Sequence, residues 1–155
     1  MTKTFSLRPI GFVRASRAEA VDDNWDTESC VIKLDETVCP ASALQGLDAF
    51  SHAEVIFLFD RVDEAKITYE TRRPRGNPAW PEIGIFAQRG KGRPNRLGAT
   101  VARINRVDGA KLELSGLDAI DGTPVLDIKP VMSGFLPRGA FREPDWAKEL
   151  MKDYW

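Results

Sequence analysis

Hydrophobic positions along this chain recur in short bursts rather than at helical spacing. In "SCVIKL", Cys30, Ile32 and Leu34 alternate with Val31 and Lys33, the two-residue period of a half-buried strand. "EVIFLF" (54–59) is too short for a helix and too apolar to expose one face, and it reads as a central strand buried on both sides. In "LGATVARINRVDGAKLELSG", Asp108-Gly109 separates two strand-like runs, and Leu112 and Leu114 alternate with Lys111, Glu113 and Ser115. Asp-Gly suits the positive φ that a type I′ hairpin turn requires. "SLRPIGFV", "GIFAQ" and "TPVLDIKP" also read as strands. Helical signals are confined to "PASALQGL", opened by Pro40 and stopped by Gly46, and to a segment at about 143–153. There Pro144 suits a first turn and Trp146 and Leu150 lie four apart. Short, closely spaced strands with a few short helices and no βαβ alternation predict an all-β fold, a single-sheet antiparallel β-barrel.

Between these elements lie two long polar stretches. Arg14 to Glu28 has no periodicity and reads as a loop, with Trp25 either exposed or borrowed by a pocket; "TRRPRGNPAWPE" (71–82) reads as a second. No repeat, low-complexity tract or linker interrupts the chain, so one domain spanning 1–155 is expected, and 43% hydrophobic content is enough to give it a core. The longest apolar run, "VIFLF", is far short of the roughly 20 residues a bilayer span needs. The first residues lack a signal peptide's apolar stretch, so a cytoplasmic, membrane-free protein is expected. Cys30, Cys39 and His52 cannot complete a tetrahedral zinc site without carboxylates, and no metal is expected. The net charge of −1 conceals an asymmetry: Arg72 to Arg96 holds seven Lys/Arg against the single acid Glu82, a surplus of +6, which leaves −7 elsewhere. Such a window points to an anionic partner.

The familiar nucleotide motifs are absent. "GKGRPN" has Asn95 where a dinucleotide fingerprint needs its third glycine, and "GRPNRLGAT" lacks the lysine of a phosphate loop. His52 follows Ser51, but no serine has the flanking glycines of a nucleophile elbow. What remains is a set of polar residues at strand ends: Asp60 and Arg61 after "VIFLF", Gln88 and Arg89 after "GIFA", and Asp118, Asp121, Gly122 and Thr123 before "PVLDIK". In a small barrel these ends converge at one rim, where carboxylates, an arginine and free amides suit a ligand with an amino-acid or ribose part.

"FAQRGKGRPNRLG" and "GLDAIDGTPVLDIKP", preceded by "LQGLDAFSHAEVIFLF", resemble the YaeB-like family, also called TsaA-like or TrmO, over about residues 10–130. The resemblance implies S-adenosylmethionine-dependent methylation of N6 of the threonylcarbamoylated adenosine beside the anticodon of tRNA. It also implies a single-sheet barrel, paired as a homodimer with the cofactor site near the subunit interface. By the same resemblance Arg89 is the first candidate for a cofactor contact. The corner Asp121, Gly122, Thr123 and Pro124 forms a second wall, Phe59, Asp60 and Arg61 a third, and Asn24 and Trp25 a further contact. Arg93, Pro94 and Asn95 match the family's Arg-Pro-Asn and shape the mouth. The family's Thr-Arg-Ser-Pro is here Gln88-Arg89-Gly90-Lys91, and the segment from Glu143 stands where longer members carry an extra domain.

Methyl transfer from a sulfonium asks mainly for positioning. Asp60, Asp121 and Asp127 are all available as electrostatic partners or proton acceptors, and no catalytic base is singled out. Arg72, Arg73, Arg75, Lys91, Arg93 and Asn95 are the candidate RNA contacts, the cations acting through counterion release, with Trp80 or Trp25 as a stacking platform. On this reading Arg89→Ala abolishes cofactor binding, whereas Arg72→Ala and Arg73→Ala spare it and weaken RNA binding. Two alternatives remain at this point: a non-catalytic RNA-binding barrel, and a methyltransferase acting on a small-molecule or protein substrate.

Overall fold

The computed structural model describes residues 2–155. In chain order its strands are β1 (Gly11–Ala15), β2 (Ser29–Leu34), β3 (His52–Leu58), β4 (Thr71–Arg72), β5 (Ile83–Gly84), β6 (Leu97–Asp108), β7 (Lys111–Ser115) and β8 (Pro124–Pro130). They are followed by the helix α1 (Asp145–Met151). Six strands close into an antiparallel barrel in the order β1-β2-β7-β6-β3-β8, and β4 pairs with β5 outside it. The two-residue period places Val13, Ile32, Leu34, Val55, Phe57, Leu112, Leu114 and Val125 inside, each at most 4% exposed. Gly11 lets β1 approach β2, because a Cβ there would lie 2.4 Å from the Lys33 carbonyl oxygen.

The expected barrel is therefore present, with corrections to individual elements. β3 is central, between β6 and β8. It buries only Ala53, Val55 and Phe57, leaving Glu54, Ile56 and Leu58 half-buried on the outer face, since a barrel wall has one inside. "SLRPIGFV" yields a strand only from Gly11; Pro9 has no N–H to pair, and residues 2–8 are exposed. "GIFAQ" is not a barrel strand: Ile83–Gly84 pairs with β4, and Ile85–Ala87 then turns as a short 3-10 helix. The buried Gln88 amide pins that turn by donating to the carbonyls of Arg72 and Ile83 at 2.8 and 2.9 Å. "PASALQGL" forms two 3-10 turns, Ala41–Leu44 and Leu47–Ala49, split at Gly46 with φ of 85°. The β6–β7 hairpin turns on Gly109-Ala110, inside the Asp108↔Lys111 pair. Only Gly109 has positive φ, which matches a type II′ turn rather than the expected type I′.

Neighbouring strands run antiparallel, so β1, β7 and β3 end where β2, β6 and β8 begin. Three connections, 16–28, 59–96 and 116–123, consequently leave from one rim. They carry nearly every polar strand-end residue singled out in the sequence. The opposite rim holds 35–51 and the tight 109–110 turn.

Candidate functional site at the barrel rim

The Asp121-Gly122 turn is laced to the end of β1. The Gly122 N–H donates to the Val13 carbonyl at 2.8 Å, Val13 N–H to Thr123 at 2.9 Å, and Ala15 N–H to Asp121 Oδ1 at 3.1 Å. Gly122 sits at φ of 83°, the left-handed region that favours glycine. Arg61 closes the corner, donating through Nη2 to the Asp121 carbonyl (3.0 Å) and through Nη1 to the Ala18 carbonyl (3.2 Å). Phe59, an edge-on neighbour of Phe57 at 5.2 Å, roots the 59–61 segment in the core. Thr123 and Pro124 are buried beneath the turn. Arg61, Asp121 and Gly122 are thus brought together, and Asp60 stands exposed beside them with no hydrogen bond or ion pair among the described residues.

The 16–28 connection folds around Arg17. Its guanidinium stacks 3.9 Å from the Trp25 ring centroid, pairs with Glu28 at 3.1 Å and donates to the carbonyls of Val21, Asp23 and Asn24. Trp25 is 4% exposed, so the indole is buried rather than exposed, and it lines neither of the grooves that flank the rim. Its Nε1 donor is buried without a partner. Asn24 takes φ of 60° to turn the chain into it. The Ser16 hydroxyl, and after it Arg17, hold the Glu28 carboxyl below its ordinary 4.5. A depressed carboxylate contributes stability that is present above the ordinary value and lost as pH falls through the folded one. Glu28→Gln should therefore be less stable than the parent at neutral pH, and the gap should close as pH drops below about 4.5 in denaturant melts.

The basic window is less free than its sequence suggests. Arg72 lies beneath the 90–92 loop, where a Cβ on Gly90 would meet its Nη2 at 2.2 Å and one on Gly92 its Nη1 at 3.2 Å; its Nε is buried and unpartnered. Arg73 donates to the Trp80 carbonyl, Arg75 pairs with Asp23 at 2.8 Å, and Arg93 donates to the Gln88 carbonyl at 2.7 Å. Lys91 and Asn95 are exposed, Asn95 at φ of 61°. Arg89 is exposed and donates through Nη2 to the Ala99 carbonyl, on the stretch of β6 that has no β7 partner. Arg89 and the 121–124 corner share the rim, but no hydrogen bond joins them.

Two grooves flank the rim. One of about 360 Å³ is lined by Arg14, Ser16, Ser29, Glu113 and Asp121. The other, of about 660 Å³, lies between Asp26, His52, Arg103, Gly116 and Trp155; the two meet at Asn105. Sequence reasoning missed Arg17, Glu28 and Tyr154. The Tyr154 hydroxyl donates to Asp118, whose other oxygen accepts from Thr100 at 2.5 Å. Burial, and then the Asp118 charge, push the Tyr154 phenol upward, so it stays a donor. Periodicity carries no signal for such long-range polar contacts.

A model of the tRNA-methyltransferase O N-terminal domain matches residues 21–135. The chain is 41% identical over 96 residues to a tRNA (adenine(37)-N6)-methyltransferase of Mus musculus, covering 62% of this chain and 22% of that protein. It is 39% identical over 132 residues to a putative S-adenosylmethionine-dependent methyltransferase, RcsF, of Pseudomonas aeruginosa, covering 81% and 54%. A crystal structure of TrmO superposes with a TM-score of 0.73 at 30% identity, covering 92% of this chain and 62% of that one. The chain spans about half or less of these two curated relatives.

Proposed function

Because the chain belongs to the tRNA-methyltransferase O family, we propose that it binds S-adenosylmethionine at this rim and methylates N6 of the modified adenosine beside the anticodon of tRNA. The observation that carries the reading is the meeting of Arg61 with Asp121-Gly122 where three connections leave one rim. The donor set suits the ligand. Arg89 offers a guanidinium to the carboxylate of its methionine part, and Asp60 and Asp121 offer carboxylates to its ammonium or ribose. The Trp25 Nε1 is a buried donor still lacking an acceptor.

When bound, S-adenosylmethionine supplies a methyl group on a positively charged sulfur, transferable in line to nitrogen. The chain's part is to hold the acceptor close to that methyl and in line with it and to take up a proton. Three carboxylates are already engaged: Asp127 pairs with Lys129 at 2.7 Å and Asp118 accepts from Thr100 and Tyr154, while Asp121 gives one oxygen to Ala15. Of these four carboxylates Asp60 is the one exposed and unengaged among the described residues, available either to the cofactor or to the proton. Lys91, Asn95 and the outward edge of Arg93 face the RNA, with Arg72 and Arg73 acting through the loops they hold.

Pairing of two copies belongs to the same reading and is supported by exposed Phe5, Phe135 and Phe141. So does a cytoplasmic address, where tRNA is found; no helix among the described residues is long and apolar enough to cross a membrane. The test is incubation with total tRNA and methyl-labelled cofactor, followed by nucleoside analysis. Label in the N6-methylated, threonylcarbamoylated adenosine is expected. Label confined to protein or small molecules would refute the tRNA assignment, and cofactor binding with no transfer to any acceptor would refute the enzyme.

A further inference from the structure

The last eleven residues cross the rim instead of trailing away from it. The Asp153 and Tyr154 carbonyls accept from the Asn24 and Trp25 N–H groups at 3.0 and 2.9 Å. The Tyr154 hydroxyl reaches Asp118 between β7 and β8. From α1, Glu149 accepts the Trp80 indole N–H at 2.8 Å, tying down the 59–96 excursion. Each of the three rim connections is thus bonded to one short segment. Asp23–Arg75 joins two of the connections directly, as Arg61 does through Ala18 and Asp121. Trp155, packed edge-on against Tyr154 at 4.9 Å, is carried into the wall of the 660 Å³ groove.

Barrel strands alone do not fix these connections relative to one another. The 16–28 stretch contains only the three-residue 3-10 turn Trp25–Thr27, and a loop without its own core is held by whatever its backbone bonds to. Here the Asn24 and Trp25 amides, at the residue whose indole Nε1 is unpartnered, are held by the C-terminal segment.

We propose that residues 145–155 are a latch that sets the shape of the rim site, with Tyr154 and Glu149 as positioning residues that anchor the segment to Asp118 and Trp80 and so hold its backbone against the 23–28 loop. The inference rests on the cofactor-binding reading for its functional consequence, while the latch has a readout of its own. Tyr154→Phe removes the hydroxyl that reaches Asp118. Glu149→Ala removes the acceptor of the Trp80 indole, and Glu149→Gln keeps a carbonyl oxygen in its place.

On the full chain, amide hydrogen exchange is expected to accelerate in 116–121 and, through the loosened segment, in 23–28 for Tyr154→Phe, and in 77–80 for Glu149→Ala, with β2, β3 and β7 unchanged. The dissociation constant for S-adenosylmethionine by calorimetry should rise roughly fivefold or more, and Glu149→Gln should restore both readouts. Faster exchange with cofactor affinity within twofold of the parent would reduce the segment to a structural tie and overturn the proposal. Unchanged loop exchange in both disruptive variants would overturn it outright. If the parent chain binds no cofactor, the reading of the rim fails, and exchange alone decides whether the latch exists.

Discussion

Arg89→Ala is expected to weaken S-adenosylmethionine binding by about 10- to 100-fold, measured by calorimetry, with little change in thermal midpoint. A hydrogen bond to a charged group contributes about 1.5–3 kcal/mol, and each 1.4 kcal/mol is about tenfold in affinity. Arg89 is exposed and, among the described residues, makes one side-chain bond, to the Ala99 carbonyl, so its removal costs the fold little. Arg61→Ala should also weaken binding, and it should soften the fold as well, because Arg61 joins the 59–96 connection to Ala18 and Asp121. Unchanged affinity in Arg89→Ala would remove this residue from the cofactor wall.

The structure changes what the neighbouring arginines can report. From sequence, Arg72→Ala spares the cofactor and weakens only RNA binding. Arg72 instead fills the space beneath Gly90 and Gly92, one residue from Arg89, so its loss should loosen the loop that presents Arg89. Lys91, exposed and without an ion pair among the described residues, is the cleaner probe of RNA: Lys91→Ala should lower tRNA affinity and flatten its salt dependence while leaving cofactor binding alone.

What was legible in the sequence follows from how local each cause is. Alternation in "SCVIKL" and "AKLELSG" is enforced by the barrel's one-sided burial, so β2 and β7 stand where the pattern puts them. The polar strand ends share a rim because alternating strand direction requires it. "GIFAQ" misled because its apolar residues are divided by a turn: Ile85 is 1% exposed and Phe86 78%, and what holds that turn is the distant Gln88 contact with Arg72. The arginine window misled because charge composition does not say which guanidinium groups find carbonyls or carboxylates. Arg75 finds Asp23, 52 positions away, and Arg73 the Trp80 carbonyl. The Tyr154–Asp118 contact joins residues 36 apart, a separation at which no local pattern operates.

In the core, too, one residue is set by a contact distant in sequence. Gly98 lies on β6 opposite Phe57 of β3, and a Cβ at that position would meet the Phe57 ring at 2.5 to 3.0 Å. The ring occupies the space a side chain at position 98 would fill, so the glycine is set by packing rather than by backbone conformation. Phe57→Ala should then cost about 3–5 kcal/mol, the range for emptying a buried aromatic site. Gly98→Ala should cost about 1–3 kcal/mol by overpacking. Combining Gly98→Ala with Phe57→Leu is the informative case: leucine lacks the distal ring atoms that press on the new methyl, so the double variant should lose less than the two single losses together, by about 1 kcal/mol. Urea unfolding of the four proteins of this cycle measures that coupling. Strictly additive losses would mean that the ring can move aside, and the close approach of β6 to β3 near the rim would need another cause.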